Sequence, residues 1–493
     1  MNKNIVLLAG AVTLSGCVAT GGQLSLDSIT NSLDEQLRPE TTMEKFDTKL
    51  TQGNMAEATK IAIDEAEYDA EKNTLDDQLW GMQTASIYRL QRDYESSNKY
   101  FDSIEDVMYQ EDTEGVIETA GETIVSTLTN DSYLDYEQSV YDSIMVNTYK
   151  ALNFTATGDF NNARIEWNRS DDRQRRAADF FAEKINEKKE TQQKEAQEER
   201  NKQAEKNASA ISVLDQQENI DKTYSQAETI LAQQGIDMSQ WGAYDGYVNP
   251  FATYMHGLYF MLKGQDTADL NKAIDSLKRV SEMTNTSVAA ESLALAQQIM
   301  SGATSRNELN KVWVIFENGQ MAQKEEFRVD LPLFLVSDNV NYVGFALPKI
   351  KERPDHFGRI MVDGVNSEVI ADMDKIIKAE FKEEFPLILT REITRTVFKT
   401  IAQKQINDRN QYLGAAASIF SAATTGADTR TWSILPKNFQ ALMLDNTGKT
   451  QLTIDSQGFA EPIQVDLVPG KHNIVYVKAT SANLPTSVEI IAL

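Results

Sequence analysis

From about Thr41 to Met300, apolar side chains recur every three or four positions and prolines are few, which predicts a series of amphipathic α-helices. Near Lys311 the spacing of apolar side chains changes to two, the period of a β-strand. The pattern therefore predicts an α+β protein. Its parts are a helical domain over residues 41–305 and a mixed αβ domain over residues 306–493, which ends in a small β-module.

Two stretches of the helical half share one pattern, which is a small residue, an aromatic residue three positions later, and a turn that contains Asp. The first covers residues 80–101 with its turn at Asp93, and the second covers residues 151–167 with its turn at Asp159. The two turns are 66 positions apart, close to twice a repeat of about 34 residues. The pattern resembles the tetratricopeptide repeat, whose stacked helix hairpins usually bind other proteins. A generic helical domain with aromatic core residues is the alternative. Weaker matches lie at residues 53–62 and 256–277.

Prolines mark the predicted starts and breaks of two helices. Asn249-Pro250 follows a loop rich in aromatic residues and predicts a helix with Pro250 in its first position. Residues 368–407 predict a second helix, which Pro386 should kink or split.

Short alternating runs predict the strands of the C-terminal half. Residues 312–316 and 326–329 flank Asn318-Gly319, a pair that tolerates positive φ, so they predict a β-hairpin. Pro469-Gly470 predicts a further chain reversal. The other predicted strands are residues 342–347, 359–362, 440–444, 451–454, 463–467 and 474–478.

The net charge of the chain limits the classes of partner that it is expected to bind. Asp and Glu number 74 against 48 Lys and Arg, for a net charge of −26, which argues against binding of nucleic acid. Residues 101–149 contain twelve acidic residues and no basic one, and so predict an acidic surface. That surface would either receive a basic partner or keep the protein soluble, and the second interpretation is favoured. The charged excursion near residues 183–208 predicts a solvent-exposed long helix or a mobile segment.

A cluster of five arginines lies within residues 164–176, among Glu166, Asp171 and Asp172. Such a mixed cluster is expected first to form ion pairs within the chain. Binding of a partner protein is the alternative. The candidate partner-binding residues are Arg164, Trp167, Arg173 and Arg176.

The sequence contains no recognisable catalytic or metal-binding motif. One Cys and three His residues, which are far apart in the chain, make a Cys/His metal cage implausible. There is no nucleophile elbow, phosphate-binding loop, dinucleotide fingerprint or zincin motif. No catalytic residue, metal or cofactor is therefore predicted, and an enzyme acting on cell-wall glycans is kept only as an alternative.

The N-terminus has the layout of a secretory signal. Lys3 precedes an apolar stretch over residues 5–12, which is too short to span a bilayer. The next residues, Leu14-Ser15-Gly16-Cys17, resemble the lipobox of bacterial lipoproteins. The resemblance implies a signal peptide over residues 1–16, lipid attachment at Cys17 and a flexible tether over residues 17–40. Val18, where an Asp would resemble an inner-membrane retention signal, suggests the outer membrane and a periplasm-facing protein.

Four further segments, at residues 162–167, 172–176, 247–251 and 428–432, and Leu435-Pro436 after the last of them, resemble an uncharacterised family of bacterial outer-membrane lipoproteins with a tetratricopeptide-like N-terminal half. The resemblance implies a location in the cell envelope and no known reaction. It also suggests, as partners, the lipoproteins that activate peptidoglycan synthases. The predicted function is a non-catalytic scaffold, held to the membrane by the lipid on Cys17, that binds other envelope proteins through its helical repeats.

Two further alternatives to the scaffold prediction stay open. Residues 414–423 are small and uncharged, which predicts buried packing first, a contact between identical subunits second and membrane insertion third. In the second case the protein would be a homo-oligomeric ring or assembly component of an envelope machine, such as a flagellar or secretion apparatus. The other alternative is an accessory role in the regulation of peptidoglycan synthases.

Overall fold

The part of the chain that the structure describes begins at residue 40 and is interrupted in several places. The predictions for Cys17, for the signal peptide and for residues 414–423 lie outside it, as does the tether up to residue 39. In this computed structural model, the described residues are 40–114, 136–206, 213–233, 236, 238, 241–242, 244, 249–334, 340–409 and 426–493.

The N-terminal half is helical, and most helices pack on the helix that follows them in the chain. Short turns join the helices within each hairpin, which makes neighbours in sequence also neighbours in space. The helices are α1 Thr42–Thr51, α2 Met55–Ala66, α3 Gln78–Leu90, α4 Tyr94–Glu114, α5 Val140–Ala156, α6 Phe160–Lys206, α7 Val213–Gln233, α8 Pro250–Lys263, α9 Thr267–Thr284 and α10 Ser287–Ser301.

Side-chain caps explain where several of these helices begin. The carboxylate of Asp77 accepts a hydrogen bond from the Trp80 amide at the start of α3, and Asp266 does the same for the Asp269 amide at the start of α9. Asn249 caps α8, and Pro250 lies in its first turn because that position needs no amide donor. The predicted start of α8 is confirmed.

The acidic surface predicted for residues 101–149 is wrong for its last part, because α5 is buried on almost every side. Asp142 is fully buried, and its carboxylate accepts hydrogen bonds from the Tyr136 hydroxyl at 2.7 Å and the Ser139 amide at 2.8 Å. Residues 115–135 lie outside the described residues. The charged excursion, in contrast, continues α6 as a long helix through Lys206.

Over its described residues, the C-terminal half adds three sheets and one long helix, so the predicted α+β class is confirmed. The five-stranded sheet has the order β11-β10-β1-β7-β6, in which β1 and β10 are parallel and the other pairs antiparallel. A second sheet has the order β5-β4-β8-β9, and β2 and β3 form a separate ribbon. The elements are β1 Lys311–Asn318, β2 Gln323–Phe334, β3 Val340–Lys351, β4 Ile360–Val362, β5 Val365–Asn366, β6 Glu368–Asp372, α11 Met373–Arg409, β7 Asn438–Asp445, β8 Gln451–Ser456, β9 Ile463–Asp466, β10 Asn473–Ala479 and β11 Ser487–Ala492.

The five-stranded sheet is buried on both faces, and the alternation along β1 explains how. Trp313 and Ile315 join the core that contains the N-terminal helices, whereas Val314 and Phe316 join the core shared with the four-stranded sheet. Successive side chains of a strand point to opposite faces, so one strand serves both cores. The result is three layers, with the five-stranded sheet between the helices and the smaller sheet.

The predicted hairpin between residues 312–316 and 326–329 is wrong. β1 pairs with β7 and β10, and β2 pairs with β3. Gly319 does turn the chain, with a φ of +67°, but the chain then leaves the sheet instead of returning along β1. The period of two identifies a strand but not its partner, because many partners satisfy the same alternation.

The helix predicted over residues 368–407 begins later, since residues 368–372 form the edge strand β6. It then continues through Pro386, so the predicted split does not occur and only the alternative of a kink is left as a prediction. A proline removes one helical hydrogen bond, and apolar packing on both sides of it holds the helix together. Phe381, Phe385 and Leu389 of α11 pack in a core with α7 and the β2–β3 ribbon.

Residues 42–493 form one compact unit, in which helices and sheet share a core. The first helix of each hairpin, namely α1, α3, α5 and α8, faces the C-terminal half. This arrangement places the inner side of the helical array against the chain's own later residues. The contacts are Asp47 with Arg353, Gln83 with Ser433, Tyr149 with Trp432, and Phe251 with Phe439.

Candidate functional site

The inner side of the helical array is occupied by a segment that precedes β7. We call this segment, residues 431–436, the strap. Its Trp432 is fully buried between the rings of Phe101 and Tyr149, at centroid distances of 6.1 and 6.0 Å. The indole N–H of Trp432 donates a hydrogen bond to the Ser86 hydroxyl at 3.0 Å. Helices α3, α4 and α5 therefore form a pocket in which both the rings and the polar edge of the indole have partners.

A buried amide on α3 binds the main chain of the strap. The Gln83 side-chain nitrogen donates to the Thr431 carbonyl and to the Ser433 hydroxyl, both at 3.1 Å. The side-chain oxygen of Gln83 accepts from the Ile434 amide at 3.3 Å. A fully buried Gln needs such partners, because an unpaired polar group in the interior is costly.

Helix α1 contributes a carboxylate to the same place. The Ser433 hydroxyl donates to Asp47 at 2.6 Å, and the Arg353 guanidinium lies 2.8 Å from the other carboxylate oxygen. Burial raises the pKa of Asp47, and the nearby arginine opposes this shift. The Asp47 carboxylate therefore links the helical array to the strap and to the segment between β3 and β4.

A second polar feature, the buried charge cluster of Arg89, Glu317, Tyr476, Lys478 and Glu489, joins α3 to the five-stranded sheet. Arg89 and Glu317 are both less than 10% exposed, with 3.1 Å between guanidinium and carboxylate. The Tyr476 hydroxyl donates to the same Glu317 oxygen at 2.6 Å. Paired in this way, both charges of the central ion pair have partners in the interior.

Lys478 completes the cluster. Its ammonium donates to the Arg89 carbonyl at 3.1 Å and lies 3.3 Å from Glu489. Burial, together with the adjacent Arg89 charge, lowers the pKa of Lys478 to about 8. A lysine with a lowered pKa is a candidate nucleophile, but this one is 1% exposed. The cleft beside Arg89 and Glu317 has room for about one water molecule, so it leaves no space for a substrate.

The arginine cluster on α6 forms ion pairs within the chain, as predicted. Arg164 forms a bidentate ion pair with the carboxylate of Asp269 in α9. Arg173 donates to the Ser143 carbonyl at 3.0 Å. Both side chains are therefore used to hold neighbouring helices to α6.

The other two candidate partner-binding residues have different surroundings. Trp167 is 1% exposed and packs near Tyr259, so its ring lies in the core and presents no surface to a partner. Arg176 is an exposed residue of α6 that pairs with Asp172, one turn earlier, at 2.7 Å. Partner binding through Arg176 stays a prediction.

The described ranges contain no group of three or more His, Cys, Asp or Glu side chains placed to hold a metal ion. No helix among them has both the length and the apolar character needed to cross a bilayer.

His256 lies in the helical core, and it makes the stability of the protein depend on pH. Its Nδ1 lies 2.9 Å from the Ser276 hydroxyl, and burial lowers its pKa to about 4. The unfolded chain takes up this proton near pH 6.5 whereas the folded chain resists it, so stability falls as the pH falls from 6.5 towards 4. We expect His256→Gln to remove a loss of about 2 kcal/mol between pH 7 and pH 5, measured by urea unfolding at each pH.

Other titratable groups change the stability with pH in the opposite direction. Only the difference between the wild type and His256→Gln therefore isolates the contribution of His256. Burial raises the pKa of Asp142 to about 6 and also raises the pKa of Glu380, so these two carboxyls favour the folded state at lower pH. The exposed His356 supplies a matched control, His356→Gln, which should keep the wild-type pH profile. Equal pH profiles for His256→Gln and the wild type would contradict the prediction.

Comparison with known proteins assigns no relative to this arrangement. No family model, curated protein or solved structure matches the chain. A functional assignment therefore depends on the sequence pattern and on the geometry of the described residues.

Proposed function

We propose that the protein is a non-catalytic scaffold of the cell envelope, anchored by a lipid on Cys17 in the outer membrane and facing the periplasm. Its tetratricopeptide-like helix hairpins would bind other envelope proteins. The observation that carries the repeat assignment is a pair of glycines at the contact between the two helices of a hairpin.

Gly81 of α3 and Gly257 of α8 each lie at a helix contact where an added Cβ would collide with side chains of neighbouring segments. A Cβ at Gly81 would lie 2.6 Å from Leu75 and 3.2 Å from Ile104 of α4. A Cβ at Gly257 would lie 2.8 Å from Leu277 of α9. Glycine thus allows close approach of the two helices in both hairpins, the role that small residues have in stacked helical repeats.

The turns of two hairpins support the same assignment. The Asp93 carboxylate accepts from the Ser96 amide at 3.1 Å, and the Asp159 carboxylate accepts from the Asn162 amide at 3.2 Å. The two turns, 66 positions apart, therefore use the same side-chain cap at the start of the second helix. Equivalent caps at this separation favour repetition of one structural unit.

Exposed Arg176 is the candidate contact on the outer side of the array. Its pairing with Asp172 joins two side chains that are each 63% exposed, and such surface pairs contribute little to stability. Arg176 can therefore exchange Asp172 for an acidic group of a partner at low cost.

The test replaces Cys17 by serine in the full chain, produced in a Gram-negative host with a photoreactive residue at position 176. The wild type should incorporate a labelled fatty acid, sediment with outer membranes and form discrete crosslinked adducts. Cys17→Ser should lose the label, and its membrane-bound fraction should fall by at least about tenfold, because buried acyl CH₂ groups supply the binding energy. The yield of crosslinked adducts should fall together with the membrane-bound fraction.

Two controls accompany this experiment. Val18→Ala leaves the lipid-attachment cysteine in place and should behave as the wild type. A photoreactive residue at Lys278 of α9, whose side chain is 61% exposed, should not give the adducts formed from position 176. Unchanged membrane attachment of Cys17→Ser would refute the anchor, and identical adducts from both positions would refute the binding surface.

A further inference from the structure

We propose that the inner side of the helical array is a peptide-binding groove with a pocket for tryptophan, which the strap occupies as an intramolecular ligand. A partner would bind there through an uncharged segment that carries Trp followed by a hydroxyl residue, and only by displacing the strap. The inference rests on the proposed scaffold function and states how its groove is closed.

The tryptophan pocket supplies the specificity. It is built from three different helices, with rings from Phe101 and Tyr149 on two of them and a hydroxyl acceptor from Ser86 on the third. The acceptor selects an indole over an apolar ring, because only the indole has an N–H to donate. Side chains that enclose one large residue of a bound segment are how peptide-binding grooves select their ligands.

Gln83 supplies recognition that is independent of the bound sequence. Two of its contacts are to main-chain groups, the Thr431 carbonyl and the Ile434 amide, which every peptide segment offers. The third contact, to the Ser433 hydroxyl, is shared with Asp47 and selects Ser or Thr after the tryptophan. These contacts of the buried amide go to the backbone of another segment rather than to its own helix.

The strap belongs to the main hydrophobic core through Trp432, Ile434 and Leu435, but it lacks regular secondary structure, as a bound peptide segment does. Residues 426–432 have no helical or strand structure, and residues 431–436 carry no charge. Its attachment to the sheet begins only after the tryptophan, where the Met321 amide bonds the Leu435 carbonyl at 2.7 Å and the Lys437 amide bonds the Asn318 carbonyl at 2.9 Å. Trp432 can therefore leave its pocket without unpairing any strand of the five-stranded sheet.

The experiment adds the ligand in trans. The probe is a fluorescent synthetic peptide with the sequence of residues 428–437, and the receptor is the full chain in detergent micelles. Trp432→Ala empties the pocket, so it should bind the peptide at least tenfold more tightly than the wild type, measured by anisotropy. The same peptide with Ala in place of Trp should not bind. Trp313→Ala, which removes a fully buried Trp from the sheet side of the core, is the matched control and should bind no better than the wild type.

A second substitution separates a binding role from a purely structural one. Gln83→Ala combined with Trp432→Ala should weaken binding of the peptide by about tenfold relative to Trp432→Ala alone, because the main-chain contacts are lost. Should Trp432→Ala fail to fold, Trp432→Leu retains part of the packing and is measured with the same peptide.

The outcomes are distinct. Absence of peptide binding by the folded Trp432→Ala or Trp432→Leu protein would overturn the groove. Equal binding by the wild type and these variants would overturn its closure by the strap. Either result could occur with membrane attachment and the position-176 adducts intact, and then only this inference fails. Loss of those two properties with peptide binding retained would refute the scaffold function alone.

Discussion

Replacing Trp432 by alanine is expected to lower the free energy of unfolding by about 3–5 kcal/mol, the range for removal of a large buried aromatic side chain. The substitution leaves a cavity between Phe101 and Tyr149 and removes the hydrogen bond to Ser86. The strap is also the place where α3, α4 and α5 meet the C-terminal half, so the loss affects the joint between helices and sheet. Urea unfolding followed by far-UV circular dichroism measures the change.

The matched control is an apolar side chain with little to lose. Ile165 of α6 is 48% exposed, and Ile165→Ala should change the unfolding free energy by less than about 0.5 kcal/mol. A cost below about 1 kcal/mol for Trp432→Ala would mean that the strap packs against the helices without stabilising them, contrary to the geometry described above.

The second large effect concerns the ion pair between Arg89 and Glu317. Arg89→Met should cost about 3–5 kcal/mol, because it leaves the Glu317 carboxylate buried without its counter-charge. Adding Glu317→Gln removes that stranded charge and keeps an acceptor for the Tyr476 hydroxyl, so the double variant should be more stable than Arg89→Met alone. A double-mutant cycle by urea unfolding gives the coupling energy of the pair.

The same cycle on a surface pair shows what burial contributes. Arg176 and Asp172 have the same chemistry as Arg89 and Glu317, but both are mostly exposed. Arg176→Met and Asp172→Asn should therefore couple by less than about 1 kcal/mol. Equal coupling in the two cycles would contradict the view that the interior location of the first pair makes its loss costly.

The charge cluster and the groove differ in how visible they are in the sequence. Glu317 continues the alternate inward positions of Trp313 and Ile315 in β1. Lys478 does the same after Ile474 and Tyr476 in β10, so each falls on the inward face of its strand. A charged residue in an inward position is a signal that alternation alone could have revealed. Gln83 offers a weaker signal, since a single polar residue on the buried face of a helix is common.

The partner of each of these groups could not be predicted. Gln83 and Thr431 are 348 positions apart, and Trp432 and Ser86 are 346 apart. Local periodicity carries no information on contacts at that separation, because any inward-facing apolar residue satisfies the same pattern. For this reason the sequence places Trp432 only in a segment that resembles a lipoprotein family, and it does not predict the pocket of Trp432.

Features that depend on near neighbours in the chain follow from local sequence patterns. The start of α8 at Asn249-Pro250 and the strands of period two arise from contacts within a few residues, and they lie where the pattern predicts them. The strands β5, β6 and β11 are exceptions, since the pattern predicts no strand at residues 365–366 and 487–492 and predicts a helix at residues 368–372.

Features that depend on residues far apart in the chain are set by long-range packing. β1 joined β7 and β10 instead of β2, α11 passed through Pro386, and the later half of the chain filled the inner side of the helices. Each of these outcomes is set by burial of apolar area between segments far apart in the chain, and that gain outweighs the local preference for a hairpin or a helix break.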